Sequence, residues 1–378
     1  MATGNCSVVL LDGGLATELE QRGFMIQDDP LWSARLLRSQ PQAIKDVHKC
    51  YLASGAEIII TASYQASVTG FMKYLGVSLE EAKSLMTRSI SLARQAVGEH
   101  LAERGIQYSR EIHLYGIGQC RLPLIAGSIG PYGACLHDGS EYTGSYVDRV
   151  TKQKLKDWHR QRIELFYSEG LRLFACETIP VQLEAEVIVE VMSEFSDAYC
   201  WISFSCKDGL HVCHGETLVD AVSSVVHSSQ VAPEAGLGHQ ASKIWHQGVK
   251  LLKQMVTSQL RLKTSLMSIM CLHVCPPACL SACIQVIAVG VNCTAPQHVE
   301  SLLKSISKCS AGRMLLAYPN SGEEWIDSRW EVQEDSSLAL VNYLQLWIQA
   351  GAKLIGGCCR TRPSDIQSFH QAFHANQN

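Results

Sequence analysis

Val286-Ile287-Ala288-Val289-Gly290-Val291-Asn292-Cys293 is an apolar run that ends in a carboxamide and a thiol. It lacks the alternation of a strand with one solvated face, so both of its faces should be buried, as in a parallel sheet. Seven further runs of this kind precede or follow it. They cover residues 8–11, 57–63, 123–130, 171–178, 199–205, 313–320 and 352–358.

Segments with a helical pattern lie between many of these runs. They include residues 16–20, 41–53, 79–103, 153–169 and 215–222. Eight buried strands that alternate with helices predict an α/β fold, a single (β/α)₈ barrel over residues 1–378. The alternative is a doubly wound open sheet. It is disfavoured because no G-x-G-x-x-G follows the first run and no Walker lysine loop is present.

Composition indicates a globular chain of 378 residues, 47% hydrophobic and 18% charged, with a net charge of -4. This charge gives no support for nucleic-acid binding, which usually needs a basic face. No apolar run is long enough to span a bilayer, and the first residues do not resemble a signal peptide. We therefore expect a cytoplasmic protein that is monomeric. In that reducing compartment its 16 cysteines favour metal or catalytic roles over disulfides.

Residues 232–283 differ from the rest of the chain. They follow the predicted helix at 215–222 and form an unusually long connection for a compact domain. We predict a poorly ordered insertion between strands five and six of the barrel. Four cysteines in it repeat every four residues, but Pro276-Pro277 would break the helix that such a metal site needs.

Polar side chains collect where the apolar runs end. In a (β/α)₈ barrel all these ends open onto one face, which is where active sites lie. The sequence therefore predicts one site from residues far apart in the chain. These residues are Asp12, Thr61, Ser63, Ser128, Glu177, Ser205, Asn292, Cys293, Tyr318, Asn320, Cys358 and Cys359.

Cys293, Cys358 and Cys359 are the most distinctive members of this group. Three thiolates at strand ends would form a zinc site with an open fourth position, a catalytic rather than structural arrangement. All-sulfur ligation selects zinc over magnesium or calcium, and Gly356-Gly357 would give the backbone freedom that adjacent ligands need. We predict one zinc per chain. The alternative is that these cysteines are small buried hydrophobic residues.

A thiol bound at such a site would ionise near neutral pH and remain nucleophilic, which suits attack on a methyl group of a cationic donor. Asp12 and Glu177 could hold the ammonium group of an amino-acid substrate. The alternative for each is that it caps the following helix. Backbone N–H groups after Gly13-Gly14 would favour the substrate carboxylate.

Six motifs together resemble the homocysteine S-methyltransferases. They are Asp12-Gly13-Gly14, Thr61-Ala62-Ser63-Tyr64-Gln65-Ala66, Gly127-Ser128-Ile129-Gly130-Pro131-Tyr132-Gly133, Cys176-Glu177-Thr178, Gly290-Val291-Asn292-Cys293 and Gly356-Gly357-Cys358-Cys359. The resemblance covers most of the chain except residues 232–283. It implies a zinc-containing barrel that methylates homocysteine to methionine. Cys293, Cys358 and Cys359 would bind the zinc, and Asp12, Glu177 and Asn292 would surround homocysteine.

Two stretches of the sequence concern the methyl donor. Residues 61–66 and 138–144 resemble the single-domain branch that uses S-methylmethionine, and sometimes S-adenosylmethionine, as in plants. The betaine- and folate-dependent relatives look different there. The sulfonium cation would lie among carboxylates and aromatic faces, and Ser63 would be a further substrate residue. The candidate donor residues are Trp32, Tyr64, Asp138, Glu141 and Tyr142.

Three other functions remain open. The motifs do not exclude a methyltransferase for selenocysteine or a related thiol. The long insertion is compatible with a non-catalytic isoform whose site it disrupts. A nucleotide-dependent oxidoreductase is disfavoured by the missing glycine fingerprint.

Overall fold

The computed structural model describes residues 8–106, 122–228, 285–322, 324–326, 329–331 and 339–375. The predicted insertion, residues 232–283, lies outside these ranges, and so do its four cysteines. Its predicted disorder and its status as a separate segment remain predictions.

Eight parallel strands form the barrel, and two further strands form a hairpin. In chain order the strands are β1 (Val9–Leu10), β2 (Ile58–Ile60), β3 (Leu124–Ile129), β4 (Leu173–Ile179), β5 (Tyr199–Phe204), β6 (Val286–Asn292), β7 (Met314–Tyr318), β8 (Glu324–Ile326), β9 (Arg329–Glu331) and β10 (Ala352–Ile355). The main sheet has the order β1-β10-β7-β6-β5-β4-β3-β2, and β8 and β9 form a separate antiparallel hairpin. A parallel bridge between Leu11 and Ile58 joins the two edges of the main sheet. The predicted barrel is confirmed.

Helices surround the strands. They are α1 (Leu15–Gln21), α2 (Leu36–Ser39), α3 (Pro41–Ala53), α4 (Val68–Leu75), α5 (Leu79–Glu103), α6 (Lys152–Ser168), α7 (Gln182–Met192), α8 (Leu218–Ser228), α9 (Pro296–Ile306), α10 (Leu344–Gln349) and α11 (Pro363–Ala375). Hydroxyl caps fix three of the starts, because the side chains of Ser67, Ser78 and Thr151 accept hydrogen bonds from the first turns of α4, α5 and α6.

The helix predicted at residues 215–222 begins later than the sequence pattern suggested. It starts at Leu218, because Gly215 has a left-handed φ of 136° and His211 pairs with Thr217 in an antiparallel bridge. Thr217 then acts as the cap, with its hydroxyl accepting a hydrogen bond of 3.1 Å from the Asp220 amide. Local hydrogen bonding therefore displaced the start of α8.

Both faces of the strands are buried, as the continuous apolar runs predicted. Side chains such as Ala175, Trp201 and Leu316 pack inside the barrel. Their sequence neighbours, such as Phe174 and Leu315, pack against the helices. Burial of a side chain of this size stabilises the fold by about 1.5–3 kcal/mol. Within the described residues, no helix is long and apolar enough to cross a membrane.

Candidate active site

A cavity of about 730 Å³ opens where the barrel strands end. Strand ends far apart in sequence contribute to its wall, among them Asp12 after β1, Glu177 in β4, Cys293 after β6, and Cys358 and Cys359 after β10. Parallel strands in a barrel all point the same way, so their carboxyl ends meet on one face. The convergence predicted for these side chains is present in the fold.

The three thiols form a compact cluster. The Sγ atoms of Cys293, Cys358 and Cys359 all lie within 4.8 Å of one another. The Sγ atoms of Cys293 and Cys359 are 3.4 Å apart, well beyond the disulfide bond length of about 2.05 Å. A tetrahedral zinc with Zn–S bonds of about 2.3 Å needs ligand sulfurs about 3.8 Å apart. The donor set and its spacing therefore fit zinc. Among the described residues this is the only group of three or more potential ligands that meets this distance limit.

One residue of the cluster and one residue beside it have left-handed backbones. Cys293 has φ 49° and Thr178 has φ 58°, a conformation that costs a residue with a side chain about 1–3 kcal/mol. Asn292 holds Thr178 in place: its Oδ1 accepts from the Thr178 amide, and its Nδ2 donates to Thr178 Oγ1, both at 2.7 Å. Nδ2 also lies 3.8 Å from Cys358 Sγ. Asn292 thus supports the cluster from behind and is not part of the cavity wall.

The glycines of the two loops allow close approach. A Cβ on Gly14 would lie 2.5 Å from the Cys358 carbonyl oxygen, and one on Gly357 would lie 2.2 Å from Thr361 Oγ1. Gly356 and Gly357 do not adopt positive φ, so the expectation that they supply backbone freedom is wrong. They are needed because a Cβ at either position would collide with neighbouring atoms. Gly13 and Gly14 line the cavity, but the Gly14 amide donates to Thr361 Oγ1 at 3.1 Å. That amide is consequently not open to a substrate carboxylate.

Asp12 and Glu177 are buried carboxyls in the cavity wall. The Ile60 amide donates to Asp12 Oδ2 at 2.8 Å, and the Ser128 hydroxyl donates to Glu177 Oε1. Burial, together with the nearby charge of Glu177, raises the pKa of Asp12 well above its usual range. Burial also raises the pKa of Glu177 to about 8. Neither carboxyl caps a helix, because the caps of α1 and α7 are Gly14 and Val181. Both carboxyls are therefore available to a cation.

The predicted donor residues, together with Ser63, divide into two groups. Trp32, Tyr64, Glu141 and Tyr142 line the cavity. Ser63 and Asp138 do not, and each has a local structural contact instead. Ser63 Oγ donates to the Ser128 carbonyl at 2.9 Å, and the exposed Asp138 accepts from the Ser140 amide at 3.0 Å.

Four acidic or polar residues of the cavity mouth were missed in the sequence. Glu20 lies in the last turn of α1, and Gln27, Asp28 and Asp29 lie in the loop before Trp32. The adjacent carboxyls next to an aromatic residue were the available signal. No lysine or arginine is among the described residues of the cavity wall. The wall is thus acidic and aromatic.

Known proteins match this chain over nearly its full length. The homocysteine S-methyltransferase family model matches residues 9–273 and 275–373, a range that includes most of residues 232–283 and so does not set that segment apart. Homocysteine S-methyltransferase 2 of Zea mays is 36% identical over 375 residues, covering 98% of this chain and 91% of the relative. Selenocysteine Se-methyltransferase of Brassica oleracea var. italica is 34% identical over 366 residues, covering 96% and 88%.

A solved structure agrees in fold as well as in sequence. The metallated form of the homocysteine methyltransferase MmuM from Escherichia coli superposes with a TM-score of 0.70, at 32% identity and with 97% of both chains covered. Matches of this extent, in sequence and in fold, make this chain a member of the homocysteine S-methyltransferase family.

Proposed function

We propose that this protein transfers a methyl group from the sulfonium of S-methylmethionine, or of S-adenosylmethionine, to the thiol sulfur of L-homocysteine, giving methionine. The observation that carries the proposal is the cluster of Cys293, Cys358 and Cys359 in one cavity with two buried carboxyls. Thiols select a soft metal ion, whereas buried carboxyls suit an ammonium group. An amino acid with a thiol side chain has both groups that the site can bind: a thiol for the metal ion and an ammonium group for the carboxyls.

Cys293, Cys358 and Cys359 would hold one zinc ion. When bound, zinc would lower the pKa of a thiol at its open position while three cysteine ligands keep that sulfur nucleophilic. Asn292 would keep two of the ligands in register, since it contacts Thr178 and Cys358 and immediately precedes Cys293.

Asp12 and Glu177 would bind the homocysteine ammonium. Burial raises the pKa of both carboxyls, and an ammonium beside them would favour their charged forms. The Ile60 amide and the Ser128 hydroxyl already orient their oxygens, so binding would need little rearrangement. These contacts would direct the substrate thiol towards the cysteine cluster.

The transfer itself is a displacement at carbon. The homocysteine thiol first releases its proton to solvent water; its sulfur then forms the new bond to the methyl carbon. The bond from that carbon to the donor sulfonium breaks, and its electron pair remains on the donor as a neutral thioether. Cation and anion therefore neutralise each other. The aromatic faces of Trp32, Tyr64 and Tyr142 would hold the cation and exclude water.

Metal analysis of the purified protein tests the site. We expect one zinc per chain in the wild type and in Cys309→Ser, whose thiol bonds the Ile306 carbonyl away from the cluster. Cys359→Ser should lose the metal. Equal zinc in all three proteins would refute the assignment of ligands.

Methyl transfer from labelled S-methylmethionine to homocysteine tests the reaction. Labelled methionine is expected from the wild type and not from Cys359→Ser. Absence of product with either sulfonium donor would favour the non-catalytic alternative.

Selenocysteine is the second candidate acceptor, favoured by the similarity to the Brassica enzyme. Competition between homocysteine and selenocysteine for one labelled donor would rank the two acceptors. A cytoplasmic monomer remains our prediction for this protein, to be tested by cell fractionation and size-exclusion chromatography.

A further inference from the structure

Three carboxyl groups of the cavity wall have different neighbours. Asp12 and Glu177 are close enough to Cys358 for its charge to raise the pKa of each. The charge of Glu141 acts instead on the hydroxyls of Tyr64 and Tyr142 and raises the pKa of each. The same two hydroxyls also experience the charge of Cys293. Both tyrosines are therefore near Glu141 and near the cluster, and both line the cavity with it.

Glu141 is buried without a counter-ion. Its side chain belongs to a short 3-10 helix, Ser140–Tyr142, and the residue is 9% exposed. Its Oε2 has no hydrogen-bond partner in the described structure, and no ion pair to Glu141 occurs there. An unpaired buried carboxylate is costly, and here burial raises the pKa of Glu141 to about 6. Glu141 therefore remains mostly ionised at neutral pH, and this negative charge has no partner cation among the described residues.

The surroundings of Glu141 hold its backbone firmly. A Cβ on Gly133 would lie 2.7 Å from the Glu141 amide nitrogen, so the two turns are in backbone contact. Nearby in the cavity wall, Gln65 donates through Nε2 to the Ala134 carbonyl at 3.3 Å and leaves its own Oε1 without a partner. Two unsatisfied acceptors in one wall suit a group with several N–H donors. An ammonium carries three.

We propose that Glu141 binds the α-ammonium group of the methyl donor, so that the preferred donors are α-amino acids that carry a sulfonium. This rests on the proposed methyl transfer. Asp12 and Glu177 serve the acceptor near Cys358, whereas the donor lies against Tyr64 and Tyr142. The donor's sulfonium then meets the aromatic faces and its ammonium meets Glu141. Glu141 is thereby a specificity-determining residue for the donor.

Glu141→Gln, which keeps the shape and removes the charge, tests this assignment. Asp148→Asn is the matched control, because Asp148 is an exposed carboxylate on the next short helix, Ser145–Asp148. Zinc-loaded proteins would be compared with S-methylmethionine and with dimethylsulfoniopropionate, a sulfonium that has no ammonium. Where the second compound is not a substrate, its inhibition constant against S-methylmethionine is measured instead.

We expect Glu141→Gln to raise KM for S-methylmethionine at least tenfold, with KM for homocysteine unchanged. The same variant should alter the constant for dimethylsulfoniopropionate less than twofold, and Asp148→Asn should behave as wild type. An unchanged KM for S-methylmethionine, or equal effects on both sulfonium compounds, would overturn the role of Glu141. A wild type that methylates homocysteine from neither S-methylmethionine nor S-adenosylmethionine refutes the proposed function itself, so the two failures are distinguishable.

Discussion

Replacement of Arg162 by lysine should weaken the fold around the cavity. Arg162 lies on α6 with 2% of its surface exposed, and its guanidinium stacks 4.4 Å from the ring centre of Trp158. Nη1 donates to the Gly130 carbonyl at 2.9 Å. Nη2 donates to the carbonyls of Ser63 at 2.9 Å and Tyr64 at 3.0 Å. One side chain thus joins the loops that follow β2 and β3.

The size of the effect follows from these three hydrogen bonds. A hydrogen bond to a charged group contributes about 1.5–3 kcal/mol. Lysine has a single ammonium in place of the planar fork, so it can replace about one of the three bonds. The expected loss is about 3–6 kcal/mol, a large part of the roughly 5–15 kcal/mol that usually stabilises a folded protein.

Urea unfolding at pH 7, followed by circular dichroism, measures this loss. Burial lowers the pKa of Arg162 to about 10, so the wild-type side chain is still charged under these conditions. Arg160→Lys is the control, because Arg160 lies on the same helix and pairs with Glu194 at the surface. Its midpoint should not change measurably. If the two variants unfold at the same urea concentration, Arg162 does not hold the loops as argued.

Three further predictions concern a buried base, the support of the cluster and the insertion. His48 is fully buried, neither of its ring nitrogens has a partner within the described residues, and burial lowers its pKa to about 4. The unfolded chain, with a histidine pKa of about 6.5, therefore binds the proton first, and about 3 kcal/mol of stability present above pH 6.5 is lost on acidification to pH 4. His48→Leu should remove this loss, and equal acid sensitivity of the two proteins in unfolding titrations would contradict it. Asn292→Ala should leave both Thr178 groups unsatisfied and cost about 2–4 kcal/mol in urea unfolding, whereas a cost below about 1 kcal/mol would remove its supporting role. Deletion of residues 232–283 should preserve the zinc content, since α8 and β6 on either side remain intact; loss of zinc would show that the segment belongs to the fold.

The barrel was predictable because each of its strands has a local sequence pattern that can be recognised without knowledge of the fold. Strands buried on both faces need apolar residues throughout, and β4 and β6 are buried at every position. The predicted runs are longer than the strands, since they include residues that flank most of the strands, such as Cys293 after β6. Knowledge of the barrel then placed the three cysteines on one face, although 66 residues separate Cys293 from Cys359.

Contacts that depend on the packing of helices against loops were not predictable. Arg162 on α6 bonds carbonyls that lie 32 to 99 residues away, and nothing near it in sequence indicates those partners. Asp138, predicted near the donor, lies outside the cavity wall for the opposite reason. Its carboxylate accepts a hydrogen bond from the amide of Ser140, two residues away. A carboxylate that makes such a local turn contact looks the same in sequence as one that binds a ligand. Close backbone approach, as at Gly14, likewise requires the tertiary structure.

The contact between the first and last barrel loops also bears on how the protein is made. Gly14 bonds Thr361 and packs against Cys358, and the Tyr51 hydroxyl donates to the carbonyls of Gly14 and Thr361. These partners are separated by nearly the whole described chain. During synthesis, β1 must wait for β10 before its second edge is paired and the barrel is closed. The cavity is therefore completed only late in translation, and a nascent chain that stops after β7 has neither Cys358 nor Cys359 and no cover for the buried face of β1.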